Sequence, residues 1–337
     1  MGKHKKRRRA AIGIDVGGTK SLYALFDEGF EIVAEEKLPS DPGKGGLKHF
    51  ERDMKKAVKS LLRAAERRGL KVAAVGVGCA GMIDIRKGVV RSSPNLTFLD
   101  GYPFRKRLER LTEAKVFVAN DVDTGLYGEH RLGAARGARH VIGVFLGTGV
   151  GGALIIDGKL HLGASGAAGD IGNYLLHAVD VSQEAQRKDS LDSVASRTAI
   201  AGAAAALATK RKAPQPSEGT GTDVKDIKSG DLAAAIERGD KALETLVRSR
   251  AALVGAALSN LVDFINPDVV LLGGGLVEAM PTLYRREIEK SIRAHAAPDA
   301  ARAVKVVLAK FRDHAGTVGA AKLALDMQSG DPPIDLD

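Results

Sequence analysis

Ile12 and Ile14 alternate with small residues ahead of a glycine pair, and Leu22, Ala24 and Phe26 resume the alternation after it. A period of two on both sides predicts strand, glycine turn, strand. "EIVAEEKLP" (31–39) reads as the third strand of a meander. The period then changes: Phe50, Met54, Ala57, Val58, Leu61, Leu62 and Ala65 recur at helical spacing. Gly69 closes that helix, and "VAAVGVG" follows as the next strand.

A second strand–glycine–strand unit spans His140 to Leu160, "HVIGVFLGTGVGGALIIDGKL". Ile12, Gly13, Gly17 and Asp27 meet Ile142, Gly143, Gly147 and Asp157 at a constant offset of 130 residues. That offset suggests an internal duplication, with two similar α/β lobes each offering a glycine hairpin to a cleft between them. An apolar-faced helix from Ala242 to Ile265 runs until "NPD", and the all-apolar "VVLL" (269–272) reads as a buried parallel strand. Gly273 to Gly275 follow it directly. Val304 to Leu308 is a further strand, "AGTVGAAKLALD" (315–326) a final helix expected to pack back on the first lobe, and Thr209 to Thr222 a loop by composition.

Length and composition change this picture little. At 337 residues the chain holds roughly two domains of about 150 residues. It is 44% hydrophobic and 27% charged, as ordinary globular proteins are. Much of the net charge of +10 lies in "KHKKRRR" (3–9), expected to be a solvated tail able at most to bind polyanions weakly, with no specific nucleic-acid partner. The tail leads into no signal-peptide core, because Asp15 and Lys20 break the apolar stretch. No run of about 18 apolar residues suggests a membrane span. With Cys79 the sole cysteine, a disulfide or thiolate zinc site within one chain is excluded, and a reducing cytoplasm is the expected location.

The chemistry starts at "AAIGIDVGGTKSLYALFD" (10–27). It is neither a Walker loop nor a dinucleotide fingerprint, since both lead into a helix. Gly17 and Gly18 present bare backbone N–H groups as an anion nest, Thr19 adds a hydroxyl and Lys20 a cation. An acid beside an anion site repels it unless a cation intervenes, so Mg²⁺ is expected near Asp15, held through water. A lone turn of this kind reads rather as a tight hairpin with a surface lysine. The second turn and the triple glycine after a buried strand favour a nucleotide.

In order, "GIDVGGTK", "AGMID", "SSPNL", "VANDVDTGLYGE", "FLGTGVGGALIIDGKL", "GASGAAGDIGN", "LLGGGL" and "DHAGTVGAAKLA" resemble the ROK family of sugar kinases within the actin-like ATPase superfamily, from about residue 10 to 328. The resemblance implies an α/β fold of ribonuclease H-like type, its two lobes each a mixed sheet flanked by helices. It implies a tail at 1–9, an N-terminal lobe at 10–120 completed by a helix at about 316–328, and a larger lobe at 121–315. It further implies an ATP- and Mg²⁺-dependent hexose kinase, glucokinase-like and acting at glucose O6, that works as a homodimer.

By the same resemblance Asp121, directly after an asparagine, is the general base. "KVFVA" places it at a strand's carboxyl end where a helix begins, a position that a helix cap would also fill; Asp123 is the competing acid. Gly81, Asn95 and Asn120 are carried over to the sugar pocket, Gly147, Thr148 and Gly149 to phosphate, and Gly273, Gly274 and Gly275 to adenosine.

Where the family has GExGH, a cysteine-rich zinc motif and CLE, this chain has "GDIGN", the cysteine-free "DVSQEAQRKDS" and "LDS". Zinc is therefore expected to be absent, with His161 and His177 as ordinary histidines. Asp170, Asn173 and Asp192 are each shorter than the family's sugar-contacting residue, which implies a wider pocket or one that works through water. The alternatives are a kinase for another hexose or N-acetylhexosamine, and a non-catalytic sensor. The family's repressors carry a helix-turn-helix ahead of the first phosphate motif. About ten residues precede that motif here, so a kinase is expected.

Overall fold

The structure is a computed structural model that describes residues 8–40, 45–176, 190–211, 226–329 and 332–334, with 208–211 as backbone. It divides into two compact units: Met1–Gly137 with Leu154–Ala168 and Asp313–Asp337, and Ala138–Ala153 with Gly169–Arg312. Among the described residues no helix is long and apolar enough to cross a membrane.

In the first unit Arg8–Val16 (β1), Lys20–Phe26 (β2) and Ile32–Pro39 (β3) form the predicted antiparallel meander. Gly46–Arg67 (α1) buries Phe50, Met54, Ala57, Val58 and Leu61, and Gly69 at φ +63° turns the chain into Leu70–Cys79 (β4). A ribbon of Met82–Asp84 (β5) and Val89–Ser92 (β6), then Phe104–Thr112 (α2), lead to Lys115–Asn120 (β7). β4 and β7 extend the sheet in parallel, giving the order β3-β2-β1-β4-β7. Asp121–Leu132 (α3) follows without a loop.

A second sheet repeats this plan. Val141–Leu146 (β8), Val150–Ile156 (β9) and Lys159–His161 (β10) stand where the meander stood. Leu191–Ala195 (α4), Arg197–Arg211 (α5), Ser229–Glu237 (α6) and Lys241–Ile265 (α7) come next. Val269–Gly273 (β11) runs parallel to β8; Gly275–Ala279 (α8), Pro281–His295 (α9) and Pro298–Ala303 (α10) then lead to Lys305–Leu308 (β12), parallel to β11. The order β10-β9-β8-β11-β12 matches the first sheet strand for strand, the topology a duplication produces. α7 stops as expected: Asn266 takes the left-handed cap conformation ahead of Pro267.

Ala315–Asp326 (α11) returns to the first unit and packs on β1, β4 and α3. β1 is buried at every position from Ala10 to Ile14, so its alternation marks two covered faces rather than one wet and one dry. Gly13 and Gly76 lie side by side in the sheet beneath α11. A Cβ on Gly13 would stand 1.9 Å from the Thr317 carbonyl oxygen, and one on Gly76 1.8 Å from that of Ala320. Across the helix, a Cβ on Gly319 would stand 1.6 Å from the Thr124 carbonyl oxygen of α3. Helix backbone therefore rests directly on strand and helix backbone.

This packing moves two expected boundaries. The first segment of the first unit runs to Gly137 instead of residue 120, with α3 held against α11, and Leu154–Ala168, expected in the larger lobe, belong to the first unit as well. Arg8 and Arg9, expected in the tail, are the first residues of β1, paired with Leu70 and Lys71 of β4. Residues 1–7 lie outside the described residues. Of the expected 209–222 loop, 209–211 continue α5 and the rest lies outside the described residues.

Gly76→Ala is expected to cost roughly 1–3 kcal/mol or more through overpacking against α11, read as a lowered melting temperature. Gly230→Ala, whose methyl meets nothing within 4 Å, should leave the melt within about 1 °C of the parent. Equal melts for the two variants would contradict the close packing.

Candidate active site

The parallel strands of the first unit end level, Val16 beside Cys79 and Cys79 beside Asn120. Three connections leave this edge together. The first glycine turn is closed by the Gly17 N–H donating to the Lys20 carbonyl (3.1 Å), and the Ala80 N–H donates to the Val16 carbonyl (3.0 Å). Asn120 Nδ2 donates to the Gly81 carbonyl (3.0 Å). Gly18 approaches Asn95 so closely that a Cβ on it would stand 3.2 Å from the Asn95 Cβ. Asp15, Gly17, Gly18, Thr19, Lys20, Gly81, Asn95, Asn120 and Asp121, picked from separate motifs, thus collect at one edge of one sheet.

Asn120 is the cap of α3. Its Oδ1 accepts from the Val122 and Asp123 N–H groups at 2.8 and 3.3 Å. This resolves the alternative for Asp121, which occupies the first helical position with capping already supplied by its neighbour.

Four acidic groups crowd this edge. Desolvation raises Asp121 to about 6, against hydrogen bonds from the Val122 N–H, its own N–H and the Asn120 side chain. Asp15 rises to about 8 through desolvation and then the charge of Asp121; Lys20 opposes the rise and Asp313 adds to it. Asp123, 5% exposed, is raised to about 8 by desolvation and by Asp121. The buried Cys79 thiol is pushed up by desolvation and by Asp121 and Asp15, which makes it inert. α11 leans on the cluster as well, since a Cβ on Gly316 would stand 2.6 Å from the Asp15 carboxyl carbon.

Sequence reasoning missed the partner of Lys20. Its ammonium lies 2.5 Å from Asp313 Oδ2, and Lys37 reaches the same oxygen at 3.5 Å. Against desolvation, hydrogen bonding and charge from Lys20 hold Asp313 below the usual carboxylate range. The motif "DHAG" contained this acid, but only the return of α11 to the first unit brings it to β2. Lys20 is thus half of an exposed ion pair that a polyphosphate can compete for.

A divalent cation suits the donor set. Asp15 is a desolvated carboxyl under the repulsion of Asp121 and Asp313, which a cation would relieve. Among the described residues no three His, Cys, Asp or Glu gather as a metal cage. Mg²⁺ held by one carboxylate, waters and phosphate needs no such cage. His161 is exposed on β10, while His177 and the stretch replacing the zinc motif, up to residue 189, lie outside the described residues.

The second unit holds the other set. The Gly147 N–H donates to the Gly149 carbonyl (2.9 Å), forming the turn between β8 and β9. Asp192 Oδ1 accepts from the Val150 N–H at 2.7 Å, so this residue, carried over as a sugar contact, holds the glycine turn. Arg197 Nη2 donates to Thr148 Oγ1 (3.3 Å) and Thr198 Oγ1 to the Thr148 carbonyl (2.9 Å); neither residue was singled out from the sequence. Gly273 pairs with Phe145, and Gly274 at φ +87° lies against Leu146, where a Cβ would stand 2.6 Å from its carbonyl oxygen. Gly273 to Gly275 therefore adjoin the turn of Gly147 to Gly149. Asn173 Nδ2 donates to Asp170 Oδ2 at 2.6 Å, linking two further expected sugar contacts.

A ROK family model matches residues 11–327. A glucokinase of Halalkalibacterium halodurans is 28% identical over 320 residues, 94% of this chain and 96% of that protein. An N-acetylgalactosamine kinase of Shewanella sp. is 28% identical over 94% of this chain and 97% of its own length. The crystal structure of a ROK family glucokinase from Streptomyces griseus, in complex with glucose and AMPPNP, superposes with a TM-score of 0.78 at 30% identity, covering 94% of this chain and 99% of that one.

The raised acids give stability a definite slope with pH. Asp123 ionises near 3.8 when unfolded and near 8 when folded, so the folded state binds the extra proton between those values and stability falls as pH rises through that window. Asp123→Asn is expected to melt about 2 °C or more above the parent at pH 8, the margin narrowing toward pH 5. A margin independent of pH would contradict the desolvated acid.

Proposed function

The chain belongs to the ROK family, and from that premise we propose that this sugar kinase transfers the γ-phosphate of ATP to a hexose, glucose at O6, with Asp121 as general base. The observation that carries the reading is the meeting of Asp121, Asp15 and the first glycine turn at one sheet edge.

Asp121 Oδ accepts the proton of the sugar hydroxyl. The freed oxygen bonds to the γ-phosphorus as the bond to the β,γ-bridging oxygen breaks, and ADP leaves with that electron pair. Desolvation tunes the base: with Asp121 raised to about 6 it is ionised at neutral pH, yet more basic than an exposed carboxylate. Gly17, Gly18 and Thr19 offer N–H and hydroxyl donors to phosphate, and Lys20 exchanges Asp313 for it. Asp15 would hold Mg²⁺ through water, the ion neutralising charge on the phosphates when bound. Gly147 to Gly149 and Gly273 to Gly275 would hold phosphate and adenosine, their bare backbone admitting close approach.

Asn95, Asn120 and Gly81 would face the sugar hydroxyls with amide and backbone groups, which both donate and accept. The acceptor rests on the glucokinases among the relatives. A second acceptor class, N-acetylhexosamines, is favoured by the short Asp170–Asn173 pair, which takes up less room than longer side chains would. The lone buried Cys79 suits a reducing cytoplasm. A homodimer carries over from the family resemblance alone.

ADP release measured over a panel of hexoses and N-acetylhexosamines should be largest with glucose; no turnover with any sugar would leave a sensor. Asp121→Asn is expected to lower kcat by about 10²–10⁴-fold with ATP affinity nearly unchanged, whereas retained activity would move the base role to Asp123 or water. The parent's kcat/KM should fall tenfold per pH unit below about 6, as Asp121 takes up a proton. Elemental analysis should find no stoichiometric zinc.

A further inference from the structure

A cavity of about 340 Å³ opens at the end of β7 opposite to Asp121. Among the described residues three cationic side chains line it, Arg86, Arg105 and Lys115, and no Asp or Glu does. Val116 and Phe117, 5% and 7% exposed, and Met327 beyond α11 supply apolar wall.

The middle cation is fixed in place. Arg105 Nε donates to the Val116 carbonyl (3.2 Å), Nη2 to the Ile85 carbonyl (2.8 Å) and Nη1 to the Arg86 carbonyl (2.5 Å). Carbonyl dipoles satisfy these donors without neutralising the positive charge, and the described lining residues include no carboxylate. Gly88, at φ +66°, packs against the Arg105 stem, where a Cβ would stand 2.5 Å from that of Arg105. A guanidinium held on three carbonyls beside buried hydrocarbon is preorganised, with Arg86 and Lys115 adding charge from two other segments. Concave, mostly apolar walls carrying a few charged side chains are the features of a small-molecule site.

We propose that this cavity binds a small organic anion, its phosphate or carboxylate head at Arg86, Arg105 and Lys115 and its apolar body against Val116, Phe117 and Met327. The five residue steps from Val116 to Asp121 span about 16 Å, so the site is separate from the catalytic edge and fills independently of it.

Calorimetric titration of the full chain with phenyl phosphate, with and without saturating ADP, tests this. One equivalent is expected to bind under both conditions, at least tenfold tighter than inorganic phosphate or benzyl alcohol. Binding should weaken at least tenfold in the Arg86→Gln, Lys115→Gln double variant and at least threefold in Lys115→Gln alone, the single exposed change guarding against a folding defect. Unchanged affinity in both variants, binding lost when ADP is present, or inorganic phosphate bound as tightly as phenyl phosphate would overturn the proposal. Heat is read without turnover, so an inactive kinase leaves the test intact.

Discussion

Backbone-to-backbone packing of α11 is the contact on which the first unit depends. Glycines at 13 and 76 in the sheet, and at 319 in the helix, leave no side chain at the closest approaches of the layers. The helix consequently enters the fold close enough for its first turn to press on the Asp15 carboxyl, while its flank fixes α3 and thereby the position of Asp121. Four chain segments far apart in sequence are set against one another by this layer, and the acids inherit its rigidity.

That rigidity comes with electrostatic strain. Asp15, Asp121 and Asp123 share a desolvated edge, and each is harder to ionise than a carboxylate in water. A sequence selected for stability alone would not gather them, because every ionised member raises the cost of the next. The arrangement is useful where cationic groups and phosphate pass through the site, since raised acids respond most strongly to incoming charge. The Lys20–Asp313 pair belongs to the same balance, a cation kept beside the glycine turn by a partner that phosphate can displace.

Much of this was legible in the chain. The two glycine hairpins, the helix closed by Gly69, the parallel strand after "NPD" and the final helix all lie where periodicity and turn chemistry predict, because these signals are local. Asp121 was singled out through its motif, yet its relation to the helix cap was open until Asn120 was seen to accept both N–H groups. Asp313 and Arg197 went unassigned for the opposite reason. Each acts on a turn distant in sequence, 293 residues in the case of Lys20, and no local pattern announces such a partner.

The sequence by itself determined the element types, the repeated hairpins and the family, since these follow from periodicity, glycine placement and ordered motifs. Tertiary structure alone decided which segments make up the first unit, that Asn120 and not Asp121 caps the helix, and how far desolvation shifts each carboxyl. Those outcomes depend on distances between segments and on the exclusion of water, which a linear pattern of residues does not contain.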